Sequence, residues 1–246
     1  MMLAMETNSQ HHGTPVEGAS VLVTGGNRGL GRALVQELLD RGAAKVYASS
    51  RAGHVATDER VVPIKLDVTD EASVAAAAQA ARDVSIVINN AGVYLNTPIL
   101  GAPLAEIQGE LDANLFGLIR VTRAFAPALE RHAPSALVNV LSVLSWVTLG
   151  SGYEVSKAAA WSATNAIRLQ LAPKGVTVTG VHVGYMDTDM TAGIDAPKAD
   201  PRDVASLIVD AIVAGDYEVL ADDVSRQVRS ELSNTDITAL YAGLAA

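Results

Sequence analysis

Tyr153 and Lys157 carry side chains whose spacing permits proton chemistry. Four positions apart on a helix-patterned segment, they share one face about one turn apart. A phenol with its ordinary pKa of ~10 is a poor base at neutral pH. A neighbouring ammonium favours the phenolate and lowers that value. Such a phenol can protonate a carbonyl oxygen, or deprotonate an alcohol, while a hydride moves at the adjacent carbon. Ser142 closes the preceding apolar run Val138-Asn139-Val140-Leu141-Ser142, where its hydroxyl can hold the same oxygen. A Tyr-x-x-x-Lys pair and one serine arise in many helices by chance, so their weight depends on what comes before them in the chain.

Thr24-Gly25-Gly26-Asn27-Arg28-Gly29-Leu30-Gly31 comes before them. It follows the apolar run Ala19 to Val23 and leads into the helix-patterned run Arg32 to Asp40. A strand, a glycine turn and a helix N-terminus together hold a dinucleotide's pyrophosphate, because free N–H groups and the positive end of the helix dipole point at the anion. The turn needs positive φ and close backbone approach, which glycine supplies at least cost. The spacing is T-G-x-x-x-G-x-G, on Gly25, Gly29 and Gly31, and not the common G-x-G-x-x-G. The competing reading is a glycine-rich turn that binds nothing. A bound nicotinamide would supply the hydride in its reduced form and, in its oxidised form, a positive charge that further favours the Tyr153 phenolate.

The elements that must position these groups can be read from the apolar pattern. Strands are expected near 19–24, 45–50, 61–66, 84–89, 136–142, 176–182 and 217–221, with helices near 29–41, 70–82, 103–131, 153–172 and 201–214. This alternation predicts an α/β fold of Rossmann type, a doubly wound, mainly parallel seven-stranded sheet with helices on both faces. Residues 18–246 read as one such domain, and 1–17 as a flexible N-terminal extension in which His11 and His12 have no role. Ligands bind such sheets beyond the carboxyl ends of the strands, where strand order reverses. Every chemical motif here follows a predicted strand end.

Composition excludes several classes. A formal charge of −9 argues against nucleic acid, whose phosphates need a basic face. The chain has no cysteine, hence no disulfide framework, thiol nucleophile or thiolate metal site, and no metal-ligand spacing stands out. No apolar run approaches the ~18 residues needed to span a bilayer, and the start does not read as a secretory signal. A cytoplasmic location is expected.

Arg51 follows the second strand, where an NAD-preferring site carries an acidic residue for the ribose 2′-hydroxyl. With Arg28 in the glycine turn it favours NADP(H) over NAD(H), a 2′-phosphate being matched by guanidinium groups. Asp67 ends the third strand, able to accept the adenine amino group or to cap the following helix. Asn89-Asn90-Ala91-Gly92 ends the fourth, where small residues let the chain turn beside a ribose and an asparagine can tie strand ends together. Asn114, polar among apolar neighbours in a long helix, is expected to bond a backbone group, or to bend the helix and hold a water.

The ordered set T-G-x-x-x-G-x-G at 24–31, N-N-A-G at 89–92, Asn114, Ser142 and Tyr153-x-x-x-Lys157 resembles the short-chain dehydrogenase/reductase family over about residues 19–221. The resemblance implies Tyr153 as general acid/base, Lys157 on the nicotinamide ribose, Ser142 on the carbonyl, and Asn114 holding a water that links Lys157 to solvent. It implies Gly25, Asn27, Arg28, Gly29, Leu30 and Gly31 around the phosphates, Asp67 and Val68 at the adenine, and Asn89, Ala91 and Gly92 along the adenosine ribose. His182-Val183-Gly184-Tyr185-Met186-Asp187-Thr188 is similar to the family's P-G-x-x-x-T segment, which implies Val183, Gly184 and Thr188 at the nicotinamide carboxamide. Two departures stand out. Val183 replaces the usual proline, and the Ser142–Tyr153 interval is shorter than usual, with Ser145 as a rival serine.

These features imply an NADPH-dependent carbonyl reductase, reversible as an alcohol dehydrogenase, acting on a small or aryl ketone. An apolar pocket is expected from Val93, Tyr94, Ser142, Leu144, Trp146, Tyr185, Met186 and Met190, all just beyond strand ends. The alternatives are a non-catalytic NADPH-sensing protein and an enoyl reductase. The resemblance also implies a homodimer or homotetramer built on the helices that begin near Pro103 and Tyr153, with the tail from Asp222 as a possible interface cap.

Overall fold

The computed structural model describes residues 13–53, 56 and 58–233. His11, His12 and the last part of the tail lie outside the described residues. Seven strands, β1 (Ser20–Val23), β2 (Lys45–Ser50), β3 (Val61–Lys65), β4 (Ile86–Asn89), β5 (Ser135–Val140), β6 (Val176–His182) and β7 (Glu218–Leu220), form one sheet in the order β3-β2-β1-β4-β5-β6-β7. The expectation was a mainly parallel sheet; all six pairings are parallel. Strand order reverses between β1 and β4.

Alternation along each strand decides how the two faces are filled. Val21 and Val23 of β1, with Ile86 and Ile88 of β4, face one core, which is closed by α1 (Gly29–Asp40) and α6 (Pro201–Ala214). Leu22, Val87 and Leu137 face the other, closed by α2 (Glu71–Ala80), α4 (Gly117–Arg131) and the end of α5 (Gly152–Leu171). Each fully buried leucine, isoleucine or phenylalanine stabilises the fold by about 1.5–3 kcal/mol. A one-residue register slip would therefore exchange the two cores wholesale and is strongly disfavoured.

Three departures from the expected elements matter for the site. The long helix expected over 103–131 is broken into α3 (Leu104–Leu111), one π-helical turn (Asp112–Phe116) and α4. The break falls on Asn114. A further helix, α7 (Asp223–Glu231), follows β7 and is capped by the Asp222 side chain, which accepts from Ser225 N at 2.7 Å. Finally, the part of the N-terminal extension within the described residues is packed rather than loose. Thr14 N bonds Ile212 O at 2.9 Å, and Val16 joins the α1–α6 core.

Candidate active site

The glycine turn links β1 to α1 beneath the point of strand-order reversal. Gly25 and Gly29 have φ of +67° and +50°, conformations that side chains resist. Gly31 is required for contact instead: a β-carbon there would stand 2.0 Å from Gly25 O and 2.7 Å from Asn90 Nδ2. The N–H groups that open α1 are met by no capping side chain, and the first turn carries no acid. By contrast α2, α6 and α7 each start on a capping aspartate, and α5 starts on a Ser151–Glu154 capping box. A helix start left with free donors, beside glycines too close-set to admit side chains, fits a bound pyrophosphate. Leu30 is buried in the core, so its main chain alone can face an anion, while Asn27 and Arg28 are exposed.

Thr24 and the asparagines after β4 lock this turn to its neighbour. Thr24 Oγ1 accepts from Asn90 N at 2.9 Å and Ala91 N at 3.0 Å, and Asn90 Nδ2 donates to Thr24 O at 2.9 Å. Asn90 is thus the tie between the β1 and β4 ends. Asn89 points the other way, bonding Asn139 Oδ1 at 2.9 Å and Thr122 Oγ1 at 3.2 Å in the interior. Its Nδ2 is committed there, which leaves its Oδ1 and its main chain to serve a ribose. Gly92 is bare for a different reason: a β-carbon would meet Asn114 Oδ1 at 3.0 Å and Lys157 Nζ at 3.8 Å.

Tyr153 and Lys157 lie one turn apart at the start of α5, and Lys157 Nζ stands 5.6 Å from the centre of the Tyr153 ring. Lys157 is buried and donates to Val140 O at 2.9 Å. The Ser142 hydroxyl accepts from Leu144 N at 3.1 Å and donates to Val183 O at 3.4 Å, and it is near enough to the Tyr153 phenol to favour its ionised form. Ser145 is turned away, its hydroxyl facing back to Ser142 N at 3.4 Å. It is Ser142, and not Ser145, that bears on the ionisation of the phenol. The shortened interval is taken up by a tight loop, stapled to the loop after β4 through Gly152 N–Thr97 O at 2.8 Å and Ile99 N–Gly150 O at 3.2 Å.

The electrostatics differ from the sequence expectation. In the cofactor-free chain the Tyr153 phenol is raised above its ordinary value, chiefly by burial, with the Ser142 hydrogen bond opposing and Tyr94 and the carboxylates of Glu154 and Glu110 adding to the rise. Burial also pulls the Lys157 ammonium down to about 8. Desolvation outweighs the attraction of the neighbouring amine, because both groups lose water while neither gains a fixed opposite charge.

Asn114 is occupied at both ends. Oδ1 accepts from Val93 N at 2.8 Å, and Nδ2 donates to Val93 O and Ser156 Oγ, each at 2.9 Å. It bonds a backbone group and sits in a helix defect, as expected. Both Nδ2 hydrogens are committed, and the second lone pair of Oδ1 is the part of the amide left for a water. Asp67 Oδ1 accepts from Thr69 N at 3.0 Å and Thr69 Oγ1 at 2.7 Å, which holds its carboxyl below the usual range. The cap of α2 is Asp70, not Asp67. Val68 packs beneath Gly117, where a β-carbon would meet it at 2.8 Å. Arg51 is exposed beyond β2 and near enough to Asp67 to act on its charge. Arg28 forms an exposed ion pair with Asp189 at 3.4 Å, which joins the glycine turn to the loop after β6.

In that loop Val183 O accepts from Val143 N at 3.0 Å, Gly184 N donates to Asp222 Oδ2 at 2.6 Å, and Thr188 Cγ2 stands 3.2 Å from a β-carbon built on Gly29. Of the expected pocket residues, Tyr94 stands edge-on to Tyr153 with centroids 5.0 Å apart, and Tyr185 is close enough to bear on the Tyr94 phenol. Val93 is half-buried beside Asn114, and Met190 is exposed at the rim. The other three are held by packing. Met186 packs against the α1–α6 core, while Leu144 and Trp146 join Val143, Val147 and Val228 of α7 in a small cluster against Tyr153. Trp146 stacks on His182 (3.7 Å, 17°), and a groove of about 260 Å³ that Leu144 and Trp146 line opens beside α5 without Tyr153 on its wall.

Sequence reasoning missed Glu110 and His182. Glu110 is wholly buried, accepting from Leu95 N at 2.8 Å and from the Thr97 hydroxyl, and so fixes the loop after β4. An acid inside an amphipathic helix gave no signal distinguishing it from a solvated one. His182 ends β6 at zero exposure, a histidine in an otherwise apolar run.

Comparison with known proteins agrees with this geometry. The short chain dehydrogenase family model matches residues 19–199. A short chain dehydrogenase from Burkholderia cenocepacia J2315, solved in complex with NADP, is 37% identical, with 95% of this chain and 100% of that one covered at a TM-score of 0.88. The ketoacyl reductase HetN of Nostoc sp. is 32% identical over 85% of this chain and 80% of its own length. The 3-oxoacyl-[acyl-carrier-protein] reductase FabG of Vibrio harveyi is 29% identical over 79% and 89%. Among the described residues no helix is long and apolar enough to cross a membrane. A family match over most of the sheet, on a chain whose glycine turn and Tyr153–Lys157 pair meet at one strand-order reversal, makes this protein a member of the short-chain dehydrogenase/reductase family of oxidoreductases.

Proposed function

We propose that the protein is an NADPH-dependent carbonyl reductase, reversible as an alcohol dehydrogenase, acting on a small or aryl ketone. The reading is supported by one juxtaposition: a phenol whose ionisation Ser142 favours, with a buried amine 5.6 Å from its ring centre, stands at the strand ends that Thr24 of the glycine turn ties together, Lys157 Nζ lying 3.8 Å from a β-carbon built on Gly92. The reduced nicotinamide, when bound, supplies the hydride. Ser142 holds the carbonyl oxygen, and Tyr153 delivers its proton to that oxygen as charge develops there. Burial keeps the phenol protonated in the free chain, the form needed for reduction. Lys157, held by Val140 O, orients the nicotinamide ribose and supplies the positive field that eases proton loss from Tyr153. Arg28 and Arg51 would hold a 2′-phosphate, and the NADP complex of the Burkholderia relative supports that choice.

The Tyr94 edge on Tyr153 and the exposed Leu95, Leu149 and Met190 support an apolar or aryl substrate. Exposed Phe116, Val155 and Leu169 on the π turn and α5 support a homodimer or homotetramer, and a cytoplasmic location completes the reading. The test is NADPH oxidation with a panel of ketones and enones, with Tyr153→Phe as control. Turnover of ketones that falls by at least ~10³-fold in the variant is expected. NADPH binding without turnover of any carbonyl compound would make the protein a sensor, turnover of enones alone an enoyl reductase, and undiminished turnover by the variant would remove Tyr153 from the mechanism.

A further inference from the structure

His182 is a buried ionisable group that the proposed chemistry leaves unused. It ends β6 at zero exposure, with Nδ1 3.1 Å from the main-chain carbonyl of Ser142. A carbonyl can only accept, so Nδ1 carries the proton. In the neutral ring Nε2 is then a bare lone pair. It has no hydrogen-bond partner, and the nearest opposite-charge group, Glu218 Oε1 of β7, stands 3.6 Å away. A leucine of similar size would avoid an unmet buried nitrogen, which costs about 1–3 kcal/mol. The ring is nonetheless clamped: Trp146 stacks on it at 3.7 Å, Arg229 of α7 lies over Trp146 at 5.5 Å, and Arg229 Nε bonds Glu218 Oε2 at 2.9 Å.

The clamp sits just past the last paired residues of β5 and β6, on the Ser142–Val143 peptide, whose N–H is held by Val183 O at 3.0 Å. The β5–β6 register ends at Val140↔Val181, and Leu141 N still bonds Val181 O at 2.8 Å. From there the Ser142 carbonyl is held by Ser145 N at 3.0 Å within its own tight turn and by His182 from across the sheet. His182 is thus the side chain that ties the Ser142 peptide to β6.

We propose that His182 is a positioning residue for Ser142, its Nδ1–H fixing the serine's main chain and so the aim of its hydroxyl at the Tyr153 phenol, with Trp146, Glu218 and Arg229 holding the ring. The proposal rests on the carbonyl-reductase reading for its kinetic consequence alone. Burial lowers the His182 pKa to about 4, with Glu218 opposing and Arg229 and Lys157 assisting, so the ring is the neutral donor at physiological pH.

Two variants separate a donor's role from mere filling. His182→Asn places an amide N–H close to the Nδ1 position, and His182→Leu fills the space with no donor. His182→Leu should lose about 10-fold or more in kcat, the worth of one positioning hydrogen bond, with KM and NADPH binding little changed. His182→Asn should recover most of that loss at equal or lower thermal stability. Equal kcat losses in both variants, or a loss that tracks melting temperature instead of the donor, would overturn the proposal. Nitrogen NMR of the histidine rings judges it without any turnover. A ring protonated at Nδ1, with a slowly exchanging proton, is expected for His182, and protonation at Nε2 overturns the proposal. A wild type that reduces no carbonyl compound yet shows the Nδ1 proton would refute the reaction assignment and leave the Ser142 tie standing.

Discussion

Lys157→Met should make the cofactor-free protein more stable at neutral pH while abolishing turnover. The ammonium's pKa falls from 10.5 in the unfolded chain to about 8 in the fold, because burial disfavours the charged form. The native state therefore binds fewer protons than the unfolded state between those values, and stability rises with pH across that window. The burial penalty is complete below pH 8 and fades as pH approaches 10.5. Linkage puts it at about 3 kcal/mol at pH 7 and under about 1 kcal/mol at pH 10. Methionine keeps the stem's packing but leaves Val140 O without its 2.9 Å donor, a loss of about 1–2 kcal/mol at either pH. The variant should therefore gain about 1–2 kcal/mol over wild type at pH 7 and lose that advantage by pH 10. Urea unfolding of both proteins at the two pH values measures this, since titrations shared by both chains cancel in the difference. A stability difference that stays flat between pH 7 and pH 10, or widens, would refute the claim that desolvation dominates at this lysine.

Two further outcomes follow from the same geometry. Gly31→Ala drives a β-carbon to 2.0 Å from Gly25 O and should cost about 2 kcal/mol or more, together with NADPH binding, read by thermal melts and cofactor fluorescence; a variant that binds NADPH as wild type does would show that the turn is not the phosphate cradle. Arg51→Ala should raise the KM for NADPH by about 10-fold while leaving the KM for NADH unchanged, and equal effects on both cofactors would remove Arg51 from the 2′-phosphate.

What was legible in the sequence was what local pattern encodes. Gly25, Gly29 and Gly31 announce a turn because their conformational demands are set within eight residues, and the Tyr153–Lys157 pair is fixed by helical pitch alone. The seven strands followed from short apolar runs, each bounded by turn residues. Contacts made across the fold were another matter. Trp146 was assigned to the pocket because it follows a strand end, yet its ring is taken up by His182, thirty-six positions later on the neighbouring strand, and by Arg229 on a helix the apolar pattern did not reveal. Met186 likewise packs against the core that α1 and α6 close, a contact set by the tertiary fold. For Asn114 the sequence leaves open a bond to the backbone or a bend in the helix; the form of the π turn depends on Val93 and Ser156, which bring three hydrogen bonds to one amide.

The electrostatic miss is the more instructive one. Spacing shows that an amine stands near a phenol, but it does not show how much water either keeps. In this fold burial raises the phenol and weakens the ammonium together, so the phenol keeps its proton while the amine, at about 8, is still charged at pH 7 but holds its proton less tightly. An oxidised nicotinamide brings a fixed positive charge that favours the phenolate, whereas the reduced ring brings none. On the proposed reaction, the direction of proton transfer at Tyr153 would follow the redox state of the bound nicotinamide, so that one arrangement of side chains would serve reduction and oxidation alike.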